Sequence, residues 1–300
     1  MKRVLLIVFI SIGWLNIFSQ QSPMFTQYYF NPFVINPAIA GTNNYYQIRT
    51  NNRFQWVGFG DGPITNCLSV YGPHGSKKFD MGYGANIMSD ITGPTSRLAV
   101  NGSYAYNFAI SNDIRLSLGA NFGILQYKID GTQLTLPDTK TPDPTLNTSV
   151  VYSTIVPDAS IGGYLYSTNF NVGFAANQLF NNKIKLEEKD ALNRLKTHFY
   201  LTGFYKYYVN RDFQLEPGVI IKAVRPAPIQ VDLTIRVIYQ NMVSGGIAFR
   251  SKDAFSVMVG YTYDNKISIA YAYDVGVTAI RKYNSGSHEI MLAYRFNPMK

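Results

Sequence analysis

The chain has little of what metal sites and catalytic centres are built from. Among its 300 residues there is one cysteine, Cys67, and there are three histidines, His74, His198 and His288. A lone cysteine excludes a disulfide framework and a cysteine-rich metal cluster, and no two histidines have the spacing of metal ligands. We therefore predict no metal, no cofactor and no enzymatic activity, and we expect Cys67 to pack within a strand rather than to act in redox chemistry.

Charged residues are also scarce, whereas aromatic residues are abundant. Charged residues are 15% of the chain, and aromatic residues are another 15%, with 23 Tyr and 19 Phe. An average protein has about 25% charged residues, and a disordered chain has the opposite balance of charge and aromatics. The net charge is +9, but the basic residues are scattered rather than clustered, so we expect no nucleic-acid partner.

The first twenty residues form a separate unit. Lys2 and Arg3 give a short positive stretch, the run from Val4 to Ile12 is apolar, and Ser19 is a small residue at a plausible cleavage point. This order is typical of a secretory signal peptide, which we assign to residues 1–20. An N-terminal membrane anchor is the alternative, but the apolar run is short for a spanning helix. No cysteine follows the run, so a lipoprotein is not expected.

Beyond the signal peptide, the dominant pattern is an alternation of apolar and polar residues. No apolar run there reaches the roughly 18 residues that indicate a transmembrane helix. Every second residue from Ile229 to Val237 is Ile, Val or Leu, for example. A period of two predicts β-strands with one apolar face. The predicted strands are 46–55, 65–71, 81–89, 97–108, 114–127, 158–166, 169–177, 198–208, 213–224, 228–238, 243–250, 254–263, 267–274 and 287–296.

These segments have the length and spacing of strands in an outer-membrane β-barrel. Most are close to the roughly 9–11 residues that a tilted transmembrane strand needs, and their number is even, as in bacterial single-chain barrels. Gaps after even-numbered segments are mostly tight, whereas the long gaps at 128–157, 178–197 and 275–286 all follow odd-numbered segments. Short turns on one side and long loops on the other are typical of these barrels. We therefore predict an all-β fold, a transmembrane barrel of about 14 antiparallel strands over residues 46–300.

The polar face of the segments carries more basic than acidic side chains. Its acids are Glu216, Asp232 and Glu289. Unpaired charges are too costly for the dry core of a soluble sandwich, but a wet or plugged lumen accommodates them, and the apolar face then meets lipid. Two interpretations stay open: an interior that accepts anions or peptides, and internal ion pairs that hold the wall and a plug in place. The basic residues are Arg49, Arg53, Arg97, Arg115, Lys206, Lys222, Arg236, Arg250 and Arg295.

Residues 21–45 form an aromatic segment before the first predicted strand. Two Asn-Pro pairs begin at Asn31 and Asn36, and they favour turns or extended backbone at each asparagine. The stretch Phe25–Phe33 contains five aromatic residues and is too apolar for a free tail. We therefore expect the segment to pack on or inside the periplasmic mouth of the barrel.

This segment resembles the N-terminal signature of the PorP/SprF family of type IX secretion system membrane proteins. The segment departs from the family signature at two positions: the family usually has Met at the position of Tyr29 and Tyr at the position of Ile39. Both changes keep a largely apolar side chain. Two weaker blocks also fit, and the similarity in pattern extends over essentially the whole mature chain. The matching residues are Phe25, Thr26, Gln27, Tyr28, Phe30, Asn31, Asn36, Pro37, Ala38, Ala40 and Gly41 in the signature, Arg53, Gln55, Trp56, Gly58, Gly62, Pro63, Thr65 and Ser69 in the second block, and Gly82, Gly84, Asp90, Gly93 and Pro94 in the third.

The resemblance implies an integral outer-membrane protein of Bacteroidota that works in protein export. Members support the secretion or surface retention of a large adhesin with a C-terminal sorting domain, a function linked to gliding motility. The implied partners are that secreted protein, outer-membrane and periplasmic components of the type IX system, and outer-membrane lipid. The expected partner-binding residues are Phe25, Gln27, Tyr28, Tyr29, Phe30, Asn31, Asn36, Pro37 and Gly41.

A second hypothesis belongs to a different class. A basic lumen also suits an outer-membrane transporter or porin for small hydrophobic or anionic solutes. Two loops on the predicted cell-surface side are further candidates for contact with an exported partner. Residues 137–147 contain three prolines and are predicted to be extended and exposed, and residues 187–196 are predicted to be either a solvated loop or a short helix.

Overall fold

Most of the chain after the predicted signal peptide is described by a computed structural model. The signal peptide at 1–20, the predicted extended loop at 137–147 and residues 187–192 of the second loop lie outside the described residues. No described helix is long and apolar enough to cross a membrane. The described residues are 23–74, 80–134, 150–184 and 193–297.

Fourteen antiparallel strands form the wall, which confirms the predicted fold class. Each strand is hydrogen-bonded to its neighbours in the chain, so the topology is a simple up-and-down meander. The strands are β1 Tyr46–Phe54, β2 Ile64–His74, β3 Met81–Thr92, β4 Thr95–Ala109, β5 Arg115–Asp130, β6 Val151–Tyr166, β7 Phe170–Asn177, β8 His198–Tyr205, β9 Phe213–Val224, β10 Gln230–Tyr239, β11 Val243–Arg250, β12 Ala254–Tyr263, β13 Ile267–Gly276 and β14 Ser287–Phe296.

The first and last strands close the sheet on itself. β1 pairs with β14 from Tyr46 opposite Phe296 to Phe54 opposite His288. The short strand Tyr207–Tyr208 continues β8 along β9. Closure gives every barrel strand a partner on both sides, which removes the free edges that an open sheet would present.

The start of β6 differs most from the sequence-based prediction. The strand begins at Val151 instead of residue 158 and pairs with β5 along its whole length. Pro157 lies in this added half, where a proline is normally a signal against a strand. Pairing with β7 begins only at Ile161, so Pro157 lies beyond the paired part of that edge, where a missing N–H is tolerated.

The wall is apolar outside and polar inside. On β10, Leu233, Ile235 and Val237 are about half exposed, whereas Thr234 and Arg236 between them are buried. The other strands repeat this alternation, with Ile, Val, Leu, Phe and Tyr on the outer face. A soluble sandwich would bury its apolar face instead, so the arrangement is that of a membrane barrel with its apolar face toward lipid.

The two ends of the barrel differ in their connections. Turns after even-numbered strands are short, and two of them, at 240–241 and 264–265, have both central residues at positive φ, as tight hairpins require. We call this the short-turn end. The opposite end, with the connections 55–63, 131–150, 178–197 and 277–286, is the long-loop end. Outer-membrane barrels direct their short turns to the periplasm and their longer loops to the outside.

Exposed aromatic rings concentrate at the short-turn end. Tyr106 and Phe108 close β4, Tyr261 and Tyr263 close β12, and all four rings are exposed. Tyr and Trp rings favour the boundary between hydrocarbon and headgroups, because one end is apolar and the other is polar. The ring of aromatic residues therefore marks the level at which the barrel leaves the membrane on this side.

The described parts of the loop after β7, residues 178–184 and 193–197, pack over the interior at the long-loop end. Lys183–Ile184 and Asn193–Arg194 pair as a short hairpin, so residues 193 and 194 are in a strand and not in the short helix considered for this loop. Ile184 and Leu195 are buried against Leu125 on the inner face of β5.

Candidate functional site

The N-terminal segment runs along the inside of the barrel. Near the short-turn end, Gly41 lies against Gly82 at the start of β3. Near the long-loop end, Thr26 contacts Arg53 of β1 and Glu289 of β14. The predicted location at the mouth was therefore too shallow, because the segment continues from the mouth through the lumen. We call residues 23–44 the plug.

Each Asn-Pro pair begins a turn of 3-10 helix and fastens the plug to the wall. The turns are Pro32–Val34 and Pro37–Ile39. The Asn31 amide donates to Asn51 Oδ1 at 2.9 Å and to Ser69 Oγ at 2.8 Å. The Asn36 amide donates to the carbonyl of Gly163 at 3.1 Å, while its oxygen caps the second turn. The prolines preset the turn backbone, and the asparagines supply the contacts to the strands.

Small residues in the wall allow the plug to approach closely. A Cβ added at Gly119 of β5 would lie 2.6 Å from Ala38 Cα, and one added at Gly82 would lie 2.2 Å from the nitrogen of Gly41. Gly84, also in the third signature block, faces the ring of Phe33. These distances are too short for any side chain, so the glycines are required by backbone and ring contacts with the plug.

A cluster of buried charged side chains holds the part of the plug nearest the long-loop end. Arg53 Nη2 lies 2.7 Å from Asp274 Oδ2, and Arg53 Nη1 lies 3.3 Å from Glu289 Oε2. Arg250 bonds to the Phe25 carbonyl at 3.2 Å and to Thr26 Oγ1 at 3.0 Å. Each of these four ionised side chains is nearly inaccessible to solvent. Asp274 was absent from the acids predicted for the lumen, although its position on the polar face of β13 could have revealed it.

All nine predicted lumen residues lie on the inner face of the wall, and more than half of them pair with carboxylates. Of the others, Arg97 lies over the Tyr127 ring, Arg49 bonds to Gln47 and Arg295 lies over the Tyr45 ring. The interpretation as internal pairs therefore describes most of the basic lumen. The ion pairs are Arg53 with Asp274 and Glu289, Arg115 with Asp80, Lys222 with Asp232, Arg236 with Glu216, and Arg250 with Asp232, Asp253 and Asp274.

The plug leaves a substantial space in the described part of the lumen. It is a cavity of about 620 Å³ at the short-turn end. Plug residues from Tyr29 to Ile39 form its floor, and turn residues such as Asp113 and Thr168 lie at its rim. Its wall carries Arg49, Lys206 and the pair formed by Arg236 and Glu216. We call this cavity the cup.

The predicted partner-binding residues all lie in the plug, inside the barrel. Phe25 and Tyr28 are buried in one apolar cluster, and the Tyr29 ring stacks under the Arg236 guanidinium at 3.9 Å. Their contacts are with the wall, and their binding of another protein stays a prediction. The nine residues are Phe25, Gln27, Tyr28, Tyr29, Phe30, Asn31, Asn36, Pro37 and Gly41.

The sequence profile of one protein family covers almost the whole chain. The family is described as type IX secretion system membrane protein PorP/SprF, and its profile matches residues 17–294. The chain belongs to the PorP/SprF family. It is thus an integral outer-membrane component of the type IX secretion system. A comparison with curated proteins finds no matching sequence.

Two solved structures that share the fold are described as a transporter and a channel. The toluene transporter TodX of P. putida aligns with a TM-score of 0.53 and 9% identity, over 89% of this chain and 94% of its own. The CymD monoaromatic hydrocarbon channel aligns with a TM-score of 0.51 and 10% identity, over 88% and 91%. With sequence identities of 9% and 10%, the comparison shows that the PorP/SprF protein shares the barrel fold of these two structures. It does not show a shared function.

Proposed function

We propose that this PorP/SprF protein serves the type IX system by binding an exported protein, an adhesin with a C-terminal sorting domain, and supporting its export or its retention at the cell surface. We propose further that it acts by binding alone and catalyses no reaction. The observation that supports this proposal is the plug: a lumen filled by the chain's own N-terminal segment suits a docking platform better than a conduit.

The plug makes too many contacts with the wall to move in and out of the lumen freely. Removing it would separate Arg53 and Glu289 from Thr26 and expose ions that are now buried. A hydrogen bond to a charged group contributes about 1.5–3 kcal/mol, and several such bonds join the plug to these ions. The plug also contributes buried apolar side chains, such as Phe33 stacked on Tyr71. Passage of a solute through the lumen would have to overcome several such contacts at once.

The long-loop end offers a surface for a partner outside the membrane. The loops 55–63 and 277–286 are joined by two backbone hydrogen bonds between Val57 and residues 285 and 286, of 2.7 and 2.8 Å. Phe59 and Tyr283 in these joined loops are exposed. Contiguous patches of exposed apolar side chains mark sites of protein contact, and the two loops together expose Val57, Phe59, Val277 and Tyr283. We assign the docking of the exported protein to these joined loops.

The test is the surface proteome of the native bacterium. Deleting the gene should remove one large protein with a C-terminal sorting domain from the cell surface, and a mild-detergent pull-down of the tagged barrel should recover that protein. The double variant Phe59→Ser and Tyr283→Ser should lose the partner while still reaching the outer membrane. Ile110→Ser, an exposed apolar residue at the opposite end, is the matched control and should retain it. An unchanged surface proteome in the deletion strain would refute the proposal.

A transporter for small hydrophobic or anionic solutes is the second candidate. The cup and its basic residues favour it, because they provide space and charge inside the barrel. TodX and CymD, which share the fold, are described as a toluene transporter and a hydrocarbon channel. Solute uptake or ion conductance by the purified wild-type barrel in liposomes would support this candidate, and a sealed bilayer would count against it.

A further inference from the structure

The cup is a closed-ended pocket that faces the periplasm. Its rim consists of turn residues at the short-turn end, and its floor is the plug between Tyr29 and Ile39. A molecule that enters from the periplasm therefore meets the floor and does not reach the long-loop end. Its volume of about 620 Å³ lies within the range of roughly 300–1,000 Å³ that ligand pockets occupy.

Arg49 gives the cup a buried positive charge without an acidic partner. Its exposed fraction is 8%, yet within the described residues its side chain makes one hydrogen bond, from Nε to Gln47 Oε1 at 2.9 Å. The two terminal nitrogens form no ion pair with any described carboxylate. Arg49 lines the cup, and a guanidinium whose terminal nitrogens pair with no described carboxylate is shaped to receive one from a ligand through two parallel hydrogen bonds.

The other side chains that line the cup suit a ligand that has both a negative charge and an apolar group. Lys206 adds a second cation with no described ion pair, whereas Arg236 is already neutralised by Glu216. Between these charges lie apolar and aromatic side chains from both the plug and the wall. They are Phe30, Ile35, Ile39, Tyr71, Tyr164 and Phe204.

We propose that the cup is a binding site for a carboxylate on an apolar carrier that arrives from the periplasm, with Arg49 receiving the carboxylate and the aromatic lining receiving the carrier. A protein chain end and a small aromatic acid share this chemistry. The proposal goes beyond the docking of an exported protein at the long-loop end, and it stands or falls independently of it.

Calorimetric titration of the purified barrel in detergent at low salt tests the proposal. The probes are the tripeptide glycyl-glycyl-phenylalanine with a free carboxylate, the same tripeptide as its C-terminal amide, and benzoate. We expect the Kd of the amide to be about ten-fold higher than that of the acid. The amide cannot form the charge-assisted hydrogen bonds with Arg49, and a loss of about 1.4 kcal/mol in binding free energy raises the Kd ten-fold. Tighter binding of the tripeptide than of benzoate assigns the site to chain ends, and equal or tighter binding of benzoate assigns it to small acids.

Two variants and one control separate the site from general charge effects. Arg49→Gln and Lys206→Gln should each weaken the free acid, the first by about ten-fold. Lys266→Gln removes a positive charge from an exposed turn at the same end, outside the cup, and should leave the affinity unchanged. Migration of the unheated protein on a gel reports that each barrel is folded. Equal binding of the tripeptide acid and its amide, no binding of any of the three probes, or wild-type affinity in folded Arg49→Gln would each overturn the proposal.

Discussion

At the scale of single residues, the interior depends on carboxylates that serve several donors at once. Glu289 accepts hydrogen bonds from the main-chain nitrogens of Thr26 at 2.6 Å and Gln27 at 3.1 Å, and it pairs with Arg53. A buried carboxylate is tolerable only when its lone pairs are satisfied in this way. Glu289 therefore joins β14 to the plug backbone, and a change there acts on both elements.

Neutralising Glu289 should destabilise the protein strongly. Glu289→Gln keeps the size of the side chain but leaves Arg53 with one buried partner fewer and places an amide donor near main-chain N–H groups. We expect the free energy of unfolding, measured by urea titration in liposomes, to fall by about 3–5 kcal/mol. Asp264→Asn, which breaks an exposed pair with Lys266, should change it by less than about 1 kcal/mol. Equal losses in both variants would contradict the role of Glu289.

The outer face leads to a separate prediction. Val259 lies near the middle of β12 with 55% of its surface exposed, whereas Tyr263 lies at the short-turn end of the same strand. A cation on the lipid face costs about 2–4 kcal/mol at mid-membrane and about 0–1 kcal/mol near the interface. Val259→Arg should therefore lower the stability in liposomes much more than Tyr263→Arg. Similar stabilities for both variants would mean that the apolar band does not face lipid.

At the scale of elements, the plug fits the wall because large plug side chains and the plug backbone lie against wall positions that have no side chain. Bulky plug side chains such as Phe33 face glycine at Gly84, and the plug backbone at Ala38 faces Gly119. The asparagine contacts then fix the position of the plug along the barrel axis. A side chain added at one of these glycines should displace the plug without altering the outer face.

Gly119→Val is the sharpest test of this fit. The new Cβ would lie 2.6 Å from Ala38 Cα, and overpacking of this kind costs about 1–3 kcal/mol. We expect the stretch of the plug around Ala38 to move away from β5 and intermittent ion conductance to appear in planar bilayers, whereas the wild type stays closed. Gly245→Val is the matched control, since a Cβ there meets nothing within 4 Å. Wild-type conductance in Gly119→Val would contradict the displacement that this fit predicts.

At the scale of the whole molecule, the wall could be predicted from the sequence and the path of the plug could not. The strands follow from a local period of two, which is readable in segments such as 229–237. The plug has no period, and its position depends on contacts between distant residues, such as Asn36 with Gly163. Gly82 and Gly84 are a partial exception, because the family resemblance marked both positions without giving a physical reason for a glycine there. The location of Arg49 beside a cavity likewise depended on where the plug ended.

The orientation of the barrel follows from its two unlike ends and can be measured directly. Lys282 lies exposed in the long loop 277–286, and Asn241 lies exposed in the short turn after β10. Because outer-membrane barrels turn their short connections toward the periplasm, a short epitope inserted after Lys282 should be stained by antibody on intact cells. The same epitope after Asn241 should be stained only after the outer membrane is permeabilised. The reverse pattern would place the cup at the cell surface and the joined loops in the periplasm, so this measurement decides which side each proposed ligand must come from.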